Sequence, residues 1–237
     1  MLNSHQEGEN FSQGTQSAKT YHRETASDDR NIRSNEGLKS AKRKGERKMT
    51  EDEKFERAIE FSLRWEGGRN FTVSNGRPVI RGAARADLGG ATAYGITWTT
   101  LKGAYRQGIV SHEDICKLTV EEAKRIYRAN YWDKWHWGEL EYPVCMCALD
   151  CCINHGGFAK ILQRAVNACG GNVAVDNKMG PQTLAGMKGC EPCELSEKIY
   201  EVRKRYFEDI VRRNASQGVF LGGWLRRCEE MRKESRQ

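Results

Sequence analysis

The amino-acid sequence predicts a mainly α-helical protein with a small β-hairpin lobe. Two capping boxes, beginning at Thr50 and Thr119, mark helix starts, and apolar residues recur every three or four positions between 143 and 169 and again from about 195 to 234. An Asn75-Gly76 pair between two short β-prone runs predicts the hairpin. With 237 residues, the chain has room for one domain or two small ones.

Residues 1–49 form a polar segment that we expect to be disordered, because it shows no apolar periodicity. Six of the ten residues from Lys39 to Lys48 are basic. A solvated tail is the simpler interpretation of this run, and contact with nucleic acid or a wall polymer stays open. The whole chain carries a net charge of +7, from 39 basic and 32 acidic residues. That charge favours an acidic partner without choosing among nucleic acid, cell wall and anionic lipid.

The sequence shows neither a membrane span nor an export signal. No stretch approaches the roughly 18 consecutive apolar residues that a membrane helix needs, and the N-terminus lacks a signal peptide's apolar core. We therefore expect the chain to stay in the cytoplasm until something else releases it. Nine cysteines then predict reduced, buried thiols. A metal site with Cys147, Cys151 and His155, and a Cys190–Cys193 disulfide formed after release, are the alternatives.

The first helix starts after Thr50 and stops at the glycines that follow Glu66. Glu66 falls on the apolar stripe that begins at Phe55, so its carboxylate is expected to point toward the core. Desolvation and the negative end of the helix both disfavour the charged form there. A carboxyl group that stays protonated near neutral pH is what a glycosidase needs as proton donor. The alternative is a glutamate that braces the following loop through backbone amides.

The next segment predicts a hairpin and then a glycine-rich stretch. Residues 71–80 form the hairpin, with Pro78 indicating an exposed edge. Residues 86–97 then contain three glycines, which suit a close approach of the backbone to another group. Asp87 and Thr92 in this stretch are polar groups able to orient a water molecule.

The Glu66-Gly67-Gly68 triplet and the later run D-x-G-G-A-T-x-Y-G-I-T, residues 87–97, resemble the signature of glycoside hydrolase family 108. This family comprises the N-acetylmuramidases of phage endolysins and bacterial secretion-activator proteins. The resemblance implies a lysozyme-like fold with Glu66 as the catalytic acid. Asp87 and Thr92 occupy the matching positions of a Glu, Asp, Thr series. The hairpin lengthens the segment between Glu66 and Asp87 relative to the family pattern.

Three tryptophans crowd the end of the helix that follows Thr119. Aromatic rings stack on sugars, but such a cluster also packs in cores, and both interpretations stay open. After them, 143–169 predicts two helices around a turn at residues 154–157, and the last two helices, about 195–213 and 219–234, are expected to carry their Arg and Lys residues on the outside. The candidate substrate-binding residues are Tyr94, Thr97, Trp132 and Asn154.

The segment that begins at Tyr131 resembles the predicted peptidoglycan domain, which follows the catalytic motif in the same family. We expect a tail at 1–49, a catalytic region at 50–130 and a peptidoglycan-binding region at 131–237 packed on it. The residues that carry this second resemblance are Tyr131-Trp132, Asp150, Asn154-His155-Gly156, Leu162-Gln163, Asp176 and Gly180-Pro181-Gln182-Thr183.

Together these observations predict a peptidoglycan hydrolase that cleaves the bond between N-acetylmuramic acid and N-acetylglucosamine without a cofactor or metal. Glu66 would protonate the leaving oxygen, while Asp87 with Thr92 would stabilise the oxocarbenium-like transition state or position water. We expect a monomer that acts on bacterial peptidoglycan and that waits in the host cytoplasm for a holin or is carried in a virion. We expect no membrane span and no binding to nucleic acid. A lytic transglycosylase, a non-catalytic wall-binding virion protein and a nucleic-acid-binding protein are the alternatives, in that order.

Overall fold

This computed structural model describes residues 47–80 and 90–237 of the chain. These residues contain eight α-helices and two small antiparallel sheets. The prediction of a mainly α-helical fold with a small β lobe is confirmed. Residues 1–46, which are most of the predicted tail at 1–49, and Asp87 lie outside the described residues. The helices are α1 (Glu51–Glu66), α2 (Trp98–Arg106), α3 (Val120–Tyr127), α4 (Val144–Asn154), α5 (Phe158–Ala168), α6 (Pro181–Gly189), α7 (Pro192–Arg213) and α8 (Gly218–Glu234). The strands are β1 (Phe71–Ser74), β2 (Arg77–Ile80), β3 (Thr92–Ala93) and β4 (Ile96–Thr97).

Both predicted capping boxes are present, at the starts of α1 and α3. The amide of Glu53 donates to the Thr50 hydroxyl at 3.2 Å, and the Thr50 amide donates to the Glu53 carboxylate at 2.8 Å. Thr119 and Glu122 make the same reciprocal pair. Each box satisfies amides that the first helical turn leaves without partners, so both helices begin where the sequence predicts.

The predicted hairpin is also confirmed. Strand β1 pairs with β2 in antiparallel register, and the turn falls at Asn75 and Gly76, whose φ angles are both positive at 51° and 70°. A second hairpin, which the sequence reading missed, joins β3 to β4 through Tyr94 and Gly95, with φ angles of 54° and 75°. Two-residue turns of this kind need positive φ at both positions, and glycine adopts it readily, so Gly95 was the available signal.

Helix α4 is the centre of the fold, because every residue from Val144 to Cys152 is buried. Helix α1 packs against it from the N-terminal half, and α5 and α7 pack against it from the C-terminal half. Its thiols are structural: burial raises the pKa of Cys145 and Cys151 to about 12, so both stay protonated. No disulfide links any of the nine cysteines, all of which lie in the described residues, and the Cys190–Cys193 disulfide stays a prediction for the oxidised protein. None of the described helices is long and apolar enough to cross a membrane.

Trp132 is a core residue, which corrects its selection as a substrate-binding residue. It lies in a π-helical turn, Arg128–Asp133, and is 0% exposed. Its ring packs edge-on against Phe55 with centroids 5.4 Å apart, and its indole N–H donates to Glu51 at 3.1 Å. No face of the ring is open to a sugar, so the packing interpretation of this tryptophan holds.

The last two helices depart from the prediction that their basic residues lie outside. Arg205, Arg212 and Arg213 are exposed as expected. Arg203 on α7 and Arg227 on α8 are instead buried, at 0% and 5% exposure. An unpaired buried guanidinium is costly, and the carboxyl groups of Asp150 and Glu66 are the partners of these two arginines.

Candidate active site

Glu66 is the last residue of α1, and its side chain is only 20% exposed. Gly67 follows with φ of 71°, a left-handed conformation that ends the helix and turns the chain away. The next residues run beside the second hairpin: the Tyr94 amide donates to the Gly68 carbonyl at 3.2 Å, and the Asn70 amide donates to the Thr92 carbonyl at 3.1 Å. The carboxyl group therefore sits where α1 meets β3 and β4.

The two oxygens of Glu66 have different surroundings. Arg227 donates from Nη2 to Oε1 at 2.8 Å. Among the described residues, Oε2 accepts no hydrogen bond, and it faces the backbone of Gly95. One oxygen is thus held by a guanidinium while the other is available to a ligand.

The turn of the second hairpin closes one side of the site. The Tyr127 hydroxyl donates to the Tyr94 carbonyl at 3.0 Å, which fixes the turn against α3. A Cβ atom on Gly95 would stand 3.0 Å from Glu66 Oε2 and would collide with the Tyr127 hydroxyl. The expectation that a glycine in this segment permits a close backbone approach therefore applies to Gly95.

Replacing Gly95 with alanine is expected to lower both stability and activity. The methyl group would displace the Glu66 carboxylate or the Tyr127 hydroxyl, and φ of 75° adds about 1 kcal/mol of backbone strain for a residue with a side chain. Thermal melting and initial rates of peptidoglycan digestion measure the two effects. Gly76→Ala is the matched control, because Gly76 also has positive φ but no atom within 4 Å of its added Cβ. Equal activity losses in the two variants would contradict the assignment.

Behind Glu66, Asp150 of α4 anchors a fully buried charge network. Its carboxylate accepts from Arg227 Nη2 at 2.7 Å, from Arg203 Nη1 at 2.6 Å and from the Ser62 hydroxyl at 3.1 Å. Burial alone would raise the pKa of Asp150, but the two guanidinium groups outweigh it and lower the pKa to about 2. The ion pairs of Asp150 with both guanidinium groups, together with the contact of Arg227 with Glu66, make the burial of these side chains tolerable.

His155 and Asn154 complete the network on the side of Arg203. Arg203 donates from Nε to His155 Nε2 at 2.8 Å and from Nη2 to Asn154 Oδ1 at 3.3 Å. Burial, reinforced by the Arg203 charge, lowers the pKa of His155 to about 3, so this histidine is a neutral acceptor. His155 therefore braces the fold, and Asn154, selected as substrate-binding, has its amide oxygen engaged by Arg203.

His155 is expected to make the protein lose stability in mild acid. Its pKa is about 3 in the folded protein and about 6.5 when unfolded, so the unfolded state takes up a proton first as the pH falls. The contribution is fully present above pH 6.5 and decreases below it, by about 2 kcal/mol at pH 5 relative to pH 7. Denaturant unfolding of the wild type and His155→Gln at both pH values measures this. A pH-dependent difference near zero between the two proteins would contradict the burial argument.

The remaining predicted residues lie on the second hairpin. Thr92 is half-buried, and its amide donates to the Asn70 side chain at 2.8 Å. Thr97 caps α2, because its hydroxyl accepts from the Thr100 amide at 3.1 Å. Tyr94 is half-buried and forms the turn beside Glu66. The structure thus brings Glu66 together with Tyr94, and it gives Thr97 a capping role.

Sequence reasoning missed Arg227, Arg203 and Tyr127. Arg203 follows Ile199 by four positions and precedes Phe207 by four, so it lies on an apolar stripe of α7, which was the available signal. Among the described residues no group of three or more His, Cys, Asp and Glu side chains could hold a metal ion, and Cys147, Cys151 and His155 do not form one.

A cavity of about 450 Å³ opens beside His155, which belongs to the charge network of Asp150 and Arg203. Tyr131 lies on its wall, and the Tyr131 ring stands 5.6 Å from that of Tyr127. Burial raises the pKa of Tyr131, with smaller contributions from Cys152 and Glu66. The other lining residues are Ala129, Asn130, Lys134, Trp135, Cys152, His155, Gly156 and Phe158.

Comparison with known families identifies two regions of the chain. Residues 59–156 match the model of Glycosyl hydrolase 108, and residues 158–229 match the Predicted Peptidoglycan domain. A solved structure of Brucella abortus SagA has 27% sequence identity and a TM-score of 0.55, and the alignment covers 76% of this chain and 92% of that one. No curated protein matches the chain. The chain therefore contains a glycosyl hydrolase 108 region followed by a C-terminal Predicted Peptidoglycan domain, a combination that supports a peptidoglycan hydrolase.

Proposed function

We propose that the protein is an N-acetylmuramidase that cleaves the β-1,4 bond between N-acetylmuramic acid and N-acetylglucosamine, with Glu66 as general acid. The observation that carries this proposal is the arrangement around Glu66: a carboxyl group at a helix end, 20% exposed, with Oε1 held by Arg227 and Oε2 open. A general acid needs a fixed direction and a free oxygen that reaches the leaving group.

Arg227 does not act on Glu66 alone. Two of its nitrogens also donate to Asp150, whose carboxylate is fully buried. The Arg227 guanidinium is therefore shared between Glu66 and a second carboxylate. In the proposed step the protonated form of Glu66 gives its proton from Oε2 to the glycosidic oxygen as the bond to the muramic acid carbon breaks.

Asp87 and Thr92 are proposed as the second half of the machinery. A carboxylate on the far side of the sugar from Glu66 stabilises the oxocarbenium-like transition state or orients the attacking water. Thr92 stands on β3, two residues before the Tyr94-Gly95 turn, whose glycine lies against Glu66. We expect Asp87→Asn to lower the initial rate of peptidoglycan hydrolysis.

Fragment analysis of digested peptidoglycan tests the proposed bond. Mass spectrometry of the soluble products should find reducing-end N-acetylmuramic acid. Anhydro-muramic acid ends would instead establish a lytic transglycosylase, and reducing-end N-acetylglucosamine would move the cleavage to the other glycosidic bond. Release of no fragments by the purified full-length protein would contradict a hydrolytic role.

We further propose that the enzyme reaches the wall from the host cytoplasm through a holin, or as part of a virion. The support is the resemblance of residues 66–68 and 87–97 to a family that includes phage endolysins. Inducing the gene with and without a holin in bacterial cells tests this. Lysis that needs the holin supports the first route, and lysis without it would contradict both.

A further inference from the structure

A second cavity, of about 500 Å³, lies away from Glu66 between the segment 134–139 and helix α6. Its two walls come from the two family regions, since 134–139 falls in the hydrolase match and α6 in the peptidoglycan-domain match. Lys134 and Trp135 line this cavity and also the 450 Å³ cavity that contains Tyr131. The two cavities are therefore neighbours on one side of the protein. We call the 500 Å³ cavity the α6 cavity.

The walls of the α6 cavity are mostly apolar. The residues that supply this apolar surface are Trp135, Met179, Pro181, Leu184 and Ala185. The other side chains of the lining are ionisable, namely Lys134, His136, Glu139 and Lys188. An apolar surface beside ionisable groups suits a ligand that carries both methyl groups and carboxylates.

Among the charged side chains that line the α6 cavity, one cation has no carboxylate partner within the described residues. Lys188 forms an ion pair with Glu139, and His136 Nδ1 lies 3.6 Å from the same carboxylate. Lys134 pairs with no carboxylate in the part of the chain that the structure describes, and its ammonium stands 5.0 Å from the centre of the Trp135 ring. The exposed ammonium is available to a carboxylate of a ligand.

We propose that the α6 cavity binds the peptide stem of peptidoglycan, an alanine-rich peptide with free carboxylates. Alanine methyl groups would contact Leu184 and Pro181, and a stem carboxylate would pair with Lys134. The stem branches from the lactyl group of muramic acid, so a glycan chain held at Glu66 carries a stem that extends away from the cleaved bond. This inference rests on the proposed function, because it assigns a second part of the same substrate to the protein.

Direct binding of a soluble stem separates this inference from the enzymatic proposal. The probe is the tetrapeptide L-alanyl-D-glutamyl-meso-diaminopimelyl-D-alanine, titrated into the full-length protein by isothermal titration calorimetry. Binding should weaken by about fivefold in Lys134→Ala, the loss expected for one exposed ion pair. Lys160→Ala is the matched control, because Lys160 is exposed and lines neither cavity. Unmeasurable binding by the wild type, or equal binding by Lys134→Ala, would overturn the inference.

Opposite charges placed at one exposed position test the recognition of a carboxylate. Ala185 is exposed on the cavity wall, so it accepts long side chains without disturbing the core. Ala185→Glu should weaken tetrapeptide binding by about tenfold through like-charge repulsion, whereas Ala185→Lys, of similar size, should bind at least twice as tightly as Ala185→Glu. Equal losses in both variants would show that the cavity does not recognise charge and would overturn the assignment.

Cleavage rates connect the cavity to the substrate. The measured quantity is the ratio of kcat/KM on intact peptidoglycan to that on glycan strands stripped of stems by an amidase. Ala185→Glu should lower this ratio by about tenfold relative to the wild type. An unchanged ratio would overturn the stem assignment. Failure of the wild type to cleave either substrate would instead contradict the proposed function, while tetrapeptide binding would still report on the cavity.

Discussion

Glu66→Gln is expected to lower the rate of peptidoglycan hydrolysis by about 1000-fold, within the range that a positioned general acid contributes. Glutamine keeps the size of the side chain, and its amide oxygen can still accept the hydrogen bond from Arg227. It carries no acidic proton for the leaving oxygen. Initial rates of reducing-end release from purified peptidoglycan measure the loss, which should appear in kcat, because the donated proton acts in the transition state.

Glu60→Gln provides the matched control for this substitution. Glu60 lies on the same helix, is exposed, and undergoes the same chemical change without facing the site. Its rate should stay within about twofold of the wild type, since surface substitutions rarely disturb a fold. Melting curves of both variants verify that they fold. A folded Glu66→Gln protein that retained a tenth of the wild-type rate would exclude Glu66 as the general acid.

The position of Glu66 could be predicted because its determinants are local. A capping box fixes the start of α1, a left-handed glycine fixes its end, and the apolar stripe between them sets which face is buried. Such signals need only a few neighbouring residues. The same reasoning gave the Asn75-Gly76 hairpin and the turn between α4 and α5, and the structure has all of these elements.

The partner of Glu66 could not be predicted in this way, because Arg227 is 161 residues away in the chain. Helix α8 carries many basic residues, and periodicity alone does not say which of them meets a buried carboxylate. The same limit explains Trp132: whether its ring faces a sugar or the core depends on Phe55 and Glu51 of α1, which tertiary packing brings to it. The role of Asp87 in the site and its distance to Glu66 stay predictions.

Asp150→Asn is expected to destabilise the protein by about 3–5 kcal/mol, the usual loss when one partner of a buried ion pair is removed. Among the described residues, asparagine leaves Arg203 with no carboxylate partner and leaves Arg227 with only that of Glu66. The side chains of Arg203 and Arg227 are only 0% and 7% exposed, so water cannot replace the lost anion. Chemical denaturation at neutral pH, with the folded baseline verified by circular dichroism, measures the change.

Asp209→Asn is the control for the loss of an aspartate that pairs with two arginines. Asp209 pairs with Arg212 and Arg213 near the end of α7, but those side chains are 75% and 76% exposed. Exposed pairs of this kind contribute at most about 1 kcal/mol, so this variant should unfold close to the wild type. Comparable losses in the two variants would mean that burial does not determine the strength of the Asp150 network.

Acid adds a second test of the same network. The pKa of Asp150 is about 2 in the folded protein, below the ordinary value of 3.8, because the pull of Arg203 and Arg227 exceeds the cost of burial. Its stabilisation is therefore complete above about pH 4 and is lost as the pH falls toward 2, where the folded carboxylate takes up its proton. Asp150→Asn has no such proton to gain. The stability difference between wild type and variant should shrink over this interval, and a constant difference would contradict an ionised Asp150 at the centre of the site.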